Sequence, residues 1–361
     1  RQPLSGGRPR PITPAFGGLA SPAPSPDGKW VAYVFSDGST DRLGLVDAEG
    51  QEWPLKLARG ADFYMQPAWH PQGSYFAWVE WDHPNMPWDG ARLMLARVAG
   101  ECPYLSETTV LAGGDDQPVS QPRFSPDGRF LAYIETEGDW EKLILFNLES
   151  GEKFTLLEEE RLLLAPAAWA QGVRSYVWSA DSRAIYHLRY HDGSASLWLA
   201  DVTSGAAEKL DTTPYTWLAG PSLSPQGEAA LVASAPGVPD RLVRWDGTRW
   251  VVEARSEGEN VAPAYFSLPQ PIQWKAPDGM TVHGLYYPPS NPDFSAEGLP
   301  PAILNIHGGP TGQAVARYSA ETGYFTSRGY AVLEVNYRGS SGYGRTYQDA
   351  LRGRWGLADT E

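Results

Sequence analysis

Hydrophobic and polar positions along the first three quarters of the chain alternate in short runs, broken by a recurring turn. Five segments share the pattern: SPDGKWVAYVF from Ser25, HPQGSYFAWVE from His70, SPDGRFLAYIE from Ser125, SADSRAIYHLR from Ser179 and SPQGEAALVAS from Ser224. Their starts lie 45, 55, 54 and 45 residues apart. In four of them proline at the second position pre-sets φ and glycine closes a type I turn, with Asp or Gln between them; the fourth, SADS, has Ala and Ser in the proline and glycine places. A β-rich run follows the turn and a short apolar run precedes it, so each motif predicts a hairpin joining two strands. Further strands follow in every repeat, as in RLGLVDAEG and KLILFNLESGEKFTLL. Strand-rich repeats of this period predict the blades of a β-propeller, five to seven in number. Trp69, Trp78, Trp178 and Trp198 then read as packing within and between flat sheets.

Two stretches break the repeat. EWDHPNMPWDG, from Glu80, is long and rich in Pro and Trp; it places Trp81 and Trp88 as candidate substrate-access residues. EEERLLLAPAAWAQGVRS, from Glu158, is a second insertion.

After about residue 265 the rhythm changes. PIQWKAPDGMTVHGLYYPP predicts a hairpin, and AILNI predicts a short strand buried on both faces, as in a parallel sheet. AVARYSAETGYFTSRG has helical spacing and reaches Gly329, a C-cap position. YAVLEVNY predicts a second buried strand, and a glycine-rich loop then leads to another helix. The expected fold is mainly β: a propeller over residues 1–265, then the first part of an α/β-hydrolase domain over 266–361.

Composition narrows the function. The 361 residues are 42% hydrophobic and 20% charged, which are globular values. Of the net charge of −14, residues 1–267 carry −13, which argues against nucleic acid or an anionic membrane as partner. One cysteine, Cys102, excludes an internal disulfide and fits a cytoplasmic setting. The first residues lack an apolar signal-peptide core, and no apolar run reaches membrane-spanning length. Metal, phosphate-loop and dinucleotide signatures are missing, so no cofactor is expected.

Propeller repeats followed by IHGGP, NYRGSSGYGR and RWGLADTE resemble the prolyl oligopeptidase family of serine peptidases. Within it the likeness is to the acylaminoacyl-peptidase and dipeptidyl-peptidase branch. The resemblance implies an acyl-enzyme mechanism on short peptides, with Gly308 and Gly309 lining an oxyanion hole. Glycine lets the main chain approach a developing oxyanion closely. His307, where some relatives place a tyrosine that helps hold the oxyanion, is expected to order that loop, with direct donation to the oxyanion as the alternative. Arg338, a third candidate substrate-access residue, is expected either to pair with a carboxylate that shapes the site or to tie its loop down, and RWGLADTE to open a helix.

No serine here lies in a Gly-x-Ser-x-Gly elbow, and the only histidines after residue 265, His283 and His307, precede any place for one. The chain therefore reads as the front part of a larger enzyme, inactive alone, whose partners are a short peptide and the rest of the hydrolase domain. Homo-oligomerisation is left open. Two other readings stand beside this one: a non-catalytic propeller that binds partners, and an esterase on the same fold.

Overall fold

In the computed structural model, which describes residues 1–360, the chain forms six four-stranded sheets. The first blade pairs β1 (Gly18–Pro24), β2 (Trp30–Ser36), β3 (Asp41–Asp47) and β4 (Leu55–Ala58). The second pairs β5 (Phe63–Trp69), β6 (Tyr75–Trp81), β7 (Ala91–Ala99) and β8 (Tyr104–Gly114). The third holds β9 (Val119–Phe124), β10 (Phe130–Glu137), β11 (Trp140–Asn147) and β12 (Lys153–Leu157). The fourth holds β13 (Tyr176–Trp178), β14 (Ala184–His191), β15 (Ser194–Asp201) and β16 (Ala207–Lys209). The fifth holds β17 (Trp217–Leu223), β18 (Ala229–Ala235), β19 (Val238–Trp245) and β20 (Trp250–Arg255). Each is an antiparallel meander whose strands pair in chain order, so the mainly-β, propeller-type expectation holds with five blades, the low end of the expected range.

The five predicted turns all form. Gly28, Gly73, Gly128 and Gly227 donate back to the first residue of their motifs at 2.8–2.9 Å. In the fourth motif Ser182 takes the glycine place with φ of 62° and donates to Ser179 O at 3.0 Å. A further lock was not visible as such in the sequence. The first serine donates to the aspartate two residues on, at 2.6 Å in the first, third and fourth motifs. The same hydroxyl accepts the N–H that opens the next strand. This bond holds the Asp27 and Asp181 carboxyls below the usual carboxylate range.

Four of the five first strands carry a bulge next to a proline, with Ser21, Gln66, Gln121 or Gly220 in the left-handed region. Such bulges bend and twist a strand. Gln66 uses its bend to link blades: its Oε1 accepts the Gln121 N–H at 2.6 Å.

The last sheet is different. Strands β21 (Gln270–Lys275) and β22 (Thr281–Tyr287) form the predicted hairpin. Strand β24 (Ala331–Asn336) pairs antiparallel to β22 and parallel to β23 (Ala302–Ile306), giving the order β21-β22-β24-β23. Helix α1 (Ala320–Thr326) lies in the crossover, capped by the Ser319 side chain on the Thr322 N–H, and α2 (Arg345–Asp349) follows.

Three expectations are corrected here. Within residues 1–360 AILNI pairs with β24 alone and leaves Leu304 and Ile306 each 61% exposed, where the sequence predicts burial on both faces. The helix predicted over 314–329 shrinks to Ala320–Thr326, because residues 314–318 hydrogen-bond instead to Asn336 and to residues of the fourth and fifth blades. RWGLADTE forms successive turns over its described residues and not a helix; Glu361 lies outside them.

By internal contacts the chain divides into two compact units. One comprises Arg1–Glu137, Lys142–Glu158 and Ala168–Val173; the other comprises Gly138–Glu141, Glu159–Ala167 and Arg174–Glu361. The sequence boundary near 265 falls between β20 and β21, yet the fourth and fifth blades group with the last sheet. The hydrogen bonds of residues 314–318 to those blades account for this. Among the described residues no helix is long and apolar enough to cross a membrane.

Candidate functional site

The site builds from the end of β23. Strand pairing stops at Ile306, and the chain turns through His307, Gly308, Gly309 and Pro310, with a cis Gly309–Pro310 peptide. Gly309 has φ of 139°, a backbone conformation that side chains rarely adopt. Both glycines are exposed, and among the described residues neither N–H donates a hydrogen bond within the chain.

His307 orders this turn. Its Nδ1 lies 2.9 Å from Gly308 O and its Nε2 3.0 Å from Ser340 Oγ. The ring stacks on Tyr337 at 4.8 Å, and the Tyr337 hydroxyl donates to His307 O at 3.0 Å. Ser340 donates in turn to Tyr337 O at 2.6 Å. Downstream, Gly312 O accepts the Ser341 N–H at 2.9 Å. The segment NYRGSSGYG therefore cradles the turn.

Asn336, fully buried at the end of β24, holds the next stretch of chain. Its Oδ1 accepts the Ala314 N–H at 2.6 Å, and its Nδ2 donates to Ala314 O at 3.1 Å and to the Tyr343 hydroxyl at 2.7 Å. Tyr343 stacks on His283 at 4.0 Å, and burial pushes its phenol up to about 12. Burial also lowers the His283 imidazole from its usual value.

The other predicted residues lie elsewhere. Arg338, 2% exposed, pairs with Asp278 of the β21–β22 turn at 2.6 Å, and that bond holds the Asp278 carboxyl below its usual range. Arg338 thus ties its loop to the hairpin. Trp81 packs in the core of the first unit, stacked on Phe63 at 5.3 Å. Trp88 is half-buried and meets Trp169 of the second insertion at 4.6 Å, so the two loops that break the repeat touch each other. From that insertion Gln171 bridges the first two blades, accepting from Ser21 Oγ at 2.6 Å and donating to Tyr64 O at 2.7 Å.

Sequence reasoning missed Asn336 and Tyr337 as supports of the turn; their only signal was their place at the end of the second predicted strand, next to the glycine-rich loop. Among the described residues no cluster of three or more His, Cys, Asp or Glu could hold a metal ion. What the arrangement offers is a rigid glycine turn with exposed N–H donors. Such donors can stabilise negative charge developing on a carbonyl oxygen.

Comparison with known proteins agrees with this geometry. The profile of the prolyl oligopeptidase family, Peptidase_S9, matches residues 316–361. The structure of a puromycin hydrolase superposes with a TM-score of 0.88 at 33% identity, covering 99% of this chain and 56% of that one. A puromycin-hydrolyzing peptidase of Mycobacterium tuberculosis gives 0.88 at 30% identity, covering 98% of this chain and 57% of that one. The uncharacterized peptidase YuxL of Bacillus subtilis is 29% identical over 228 residues, 60% of this chain and 34% of its own. The chain resembles the prolyl oligopeptidase family, by its profile at residues 316–361 and by likeness to solved peptidases along nearly its whole length, and it spans between a third and just over half of the length of these relatives.

Proposed function

We propose that the intact protein is a serine peptidase that cleaves short peptides or aminoacyl amides by acyl-enzyme chemistry. The observation that carries this is the His307–Gly308–Gly309 turn, held from both sides and presenting N–H groups with no acceptor in the chain. In this reading the turn supplies one donor to the oxyanion, and the residue after the nucleophile supplies the second. Serine attacks the carbonyl, histidine takes its proton and returns it to the leaving amine, and aspartate orients the histidine. In this reading those three groups lie outside residues 1–361, which contain no Gly-x-Ser-x-Gly elbow. The −13 charge of residues 1–267 favours cationic substrates such as peptides with a free amino group, and a cytoplasmic setting suits the single cysteine.

A fluorophosphonate probe on the full-length protein is expected to label one serine, and no labelled serine would overturn the reading. Gly309→Val is expected to lower kcat/KM by about 100-fold. Turnover of aminoacyl amides above that of matched simple esters would separate a peptidase from an esterase on this fold.

A further inference from the structure

The chain leaving the glycine turn has no regular structure of its own before α1. Within residues 314–318 the only internal backbone bond runs from the Arg317 N–H to Val315 O, at 2.8 Å. Its path is set by external partners, and most lie on the fourth and fifth blades. Ala316, 3% exposed, donates its N–H to Gly193 O in the β14–β15 turn at 2.7 Å. The Thr216 hydroxyl donates to Ala316 O at 2.6 Å. The Ser234 hydroxyl, 1% exposed, accepts the Tyr318 N–H at 3.1 Å and donates to Val238 O at 3.0 Å. Arg317 pairs with Asp240 at 2.6 Å. Thr216 and Ser234 are also joined to each other, through the Thr216 N–H and Ser234 O at 2.9 Å.

We propose that Thr216, Ser234 and Asp240 are positioning residues for the glycine turn, so that two propeller blades set where the oxyanion donors lie. This rests on the reading of Gly308 and Gly309 as oxyanion donors. The mechanical link is short. Six residues lie between Gly309 and Ala316, and they are pinned by the Gly312 N–H on Pro310 O at 2.7 Å and by Asn336, which bonds both the N–H and the C=O of Ala314. A shift of Ala316 passes to the turn instead of being absorbed. Donor geometry matters most in the transition state, so a displaced turn lowers kcat while leaving substrate binding in place.

The test uses the full-length enzyme, an aminoacyl amide substrate and thermal unfolding to confirm folding. Thr216→Val is expected to lower kcat about tenfold, since small misplacements of catalytic groups are costly. Its KM is expected to stay within about twofold of wild type, because uniform binding is untouched. Thr216→Ser, which keeps the hydroxyl, restores kcat. If Thr216→Val does not fold, Asp240→Asn carries the test, with a smaller fall in kcat at constant KM. Wild-type kcat in a folded Thr216→Val variant, or a change confined to KM, overturns the proposal. Gly309→Val serves as the control: if it keeps wild-type kcat, the oxyanion reading fails and the positioning role falls with it. If Gly309→Val is inactive and Thr216→Val is normal, only the positioning role fails.

Discussion

The fourth blade and the last sheet both lie in the second unit, and both have four strands, yet they bury them differently. In the blade, Ile185, Leu188, Leu197 and Ala200 are almost wholly buried, and the apolar cluster runs on to Leu218 and Val243 of the fifth blade. In the last sheet only the central pair of strands is covered on this scale, at Leu285, Ala331 and Val332, while Leu304 and Ile306 on β23 are 61% exposed. The blade is a structural unit completed by its neighbour. The last sheet carries the candidate chemistry at the end of its least covered strand. Within residues 1–360, positional accuracy there does not come from core packing along β23. It comes from polar locks: Asn336, Tyr337, Ser340 and the blade loops.

This contrast can be broken by measurement. Leu188→Ala, in the blade core, is expected to cost about 3 kcal/mol in denaturant unfolding. In a protein of residues 1–361, Leu304→Ala is expected to stay within about 0.5 kcal/mol of the unsubstituted chain. Equal losses would mean that β23 is covered in solution. Asn336→Ala removes a fully buried side chain with three hydrogen bonds and is expected to cost about 2 kcal/mol. It should depress activity of the intact enzyme more than its stability, and a loss of stability alone would make Asn336 a core residue only.

A smaller effect probes the blade through His187. Burial, and then the Arg189 charge, lower its pKa from 6.5 to about 3, and its Nε2 accepts the Arg189 Nε–H at 3.1 Å. The folded state therefore keeps the neutral ring where the unfolded chain has already taken up a proton. Stability from this group is full above about 6.5 and falls as pH drops towards 3, by up to about 1.4 kcal/mol per pH unit. His187→Gln should flatten that acid limb, read as the melting temperature between pH 7 and pH 5. An unchanged slope would place the titration elsewhere.

The blades were legible because their information is local. A Ser-Pro-Asp-Gly turn and the strand after it are specified within about ten residues, and even the fourth motif, with Ser182 in place of glycine, kept its form. The left-handed bends at Ser21, Gln66 and Gln121 were not readable, because a residue before proline is ordinarily extended. An apolar run such as AILNI says that a strand forms, not which side of a sheet it occupies. Residues 314–319 fitted a helical period, but hydrogen bonds to partners 77–100 residues away decided their path. In the site, the glycines could be found by their motif. Thr216, Ser234 and Asp240 could not, since nothing in their own neighbourhoods differs from an ordinary blade loop or strand.

The turn between β10 and β11 has a bearing on how the molecule comes to exist. Asp139 caps α2: its backbone carbonyl accepts the Arg345 N–H at 3.1 Å and its Oδ1 the Thr346 N–H at 2.6 Å, while the Trp140 ring lies against Gly344. These partners are 207 residues apart. On a ribosome adding roughly 5–20 residues per second, the turn waits on the order of ten seconds or more for its helix. During that interval the surface around Trp140 is open to solvent and to chaperones, and contacts of such long range close late. Nascent-chain length thus becomes a timer for this contact, and a stall before residue 345 leaves the third blade with an uncovered aromatic tip.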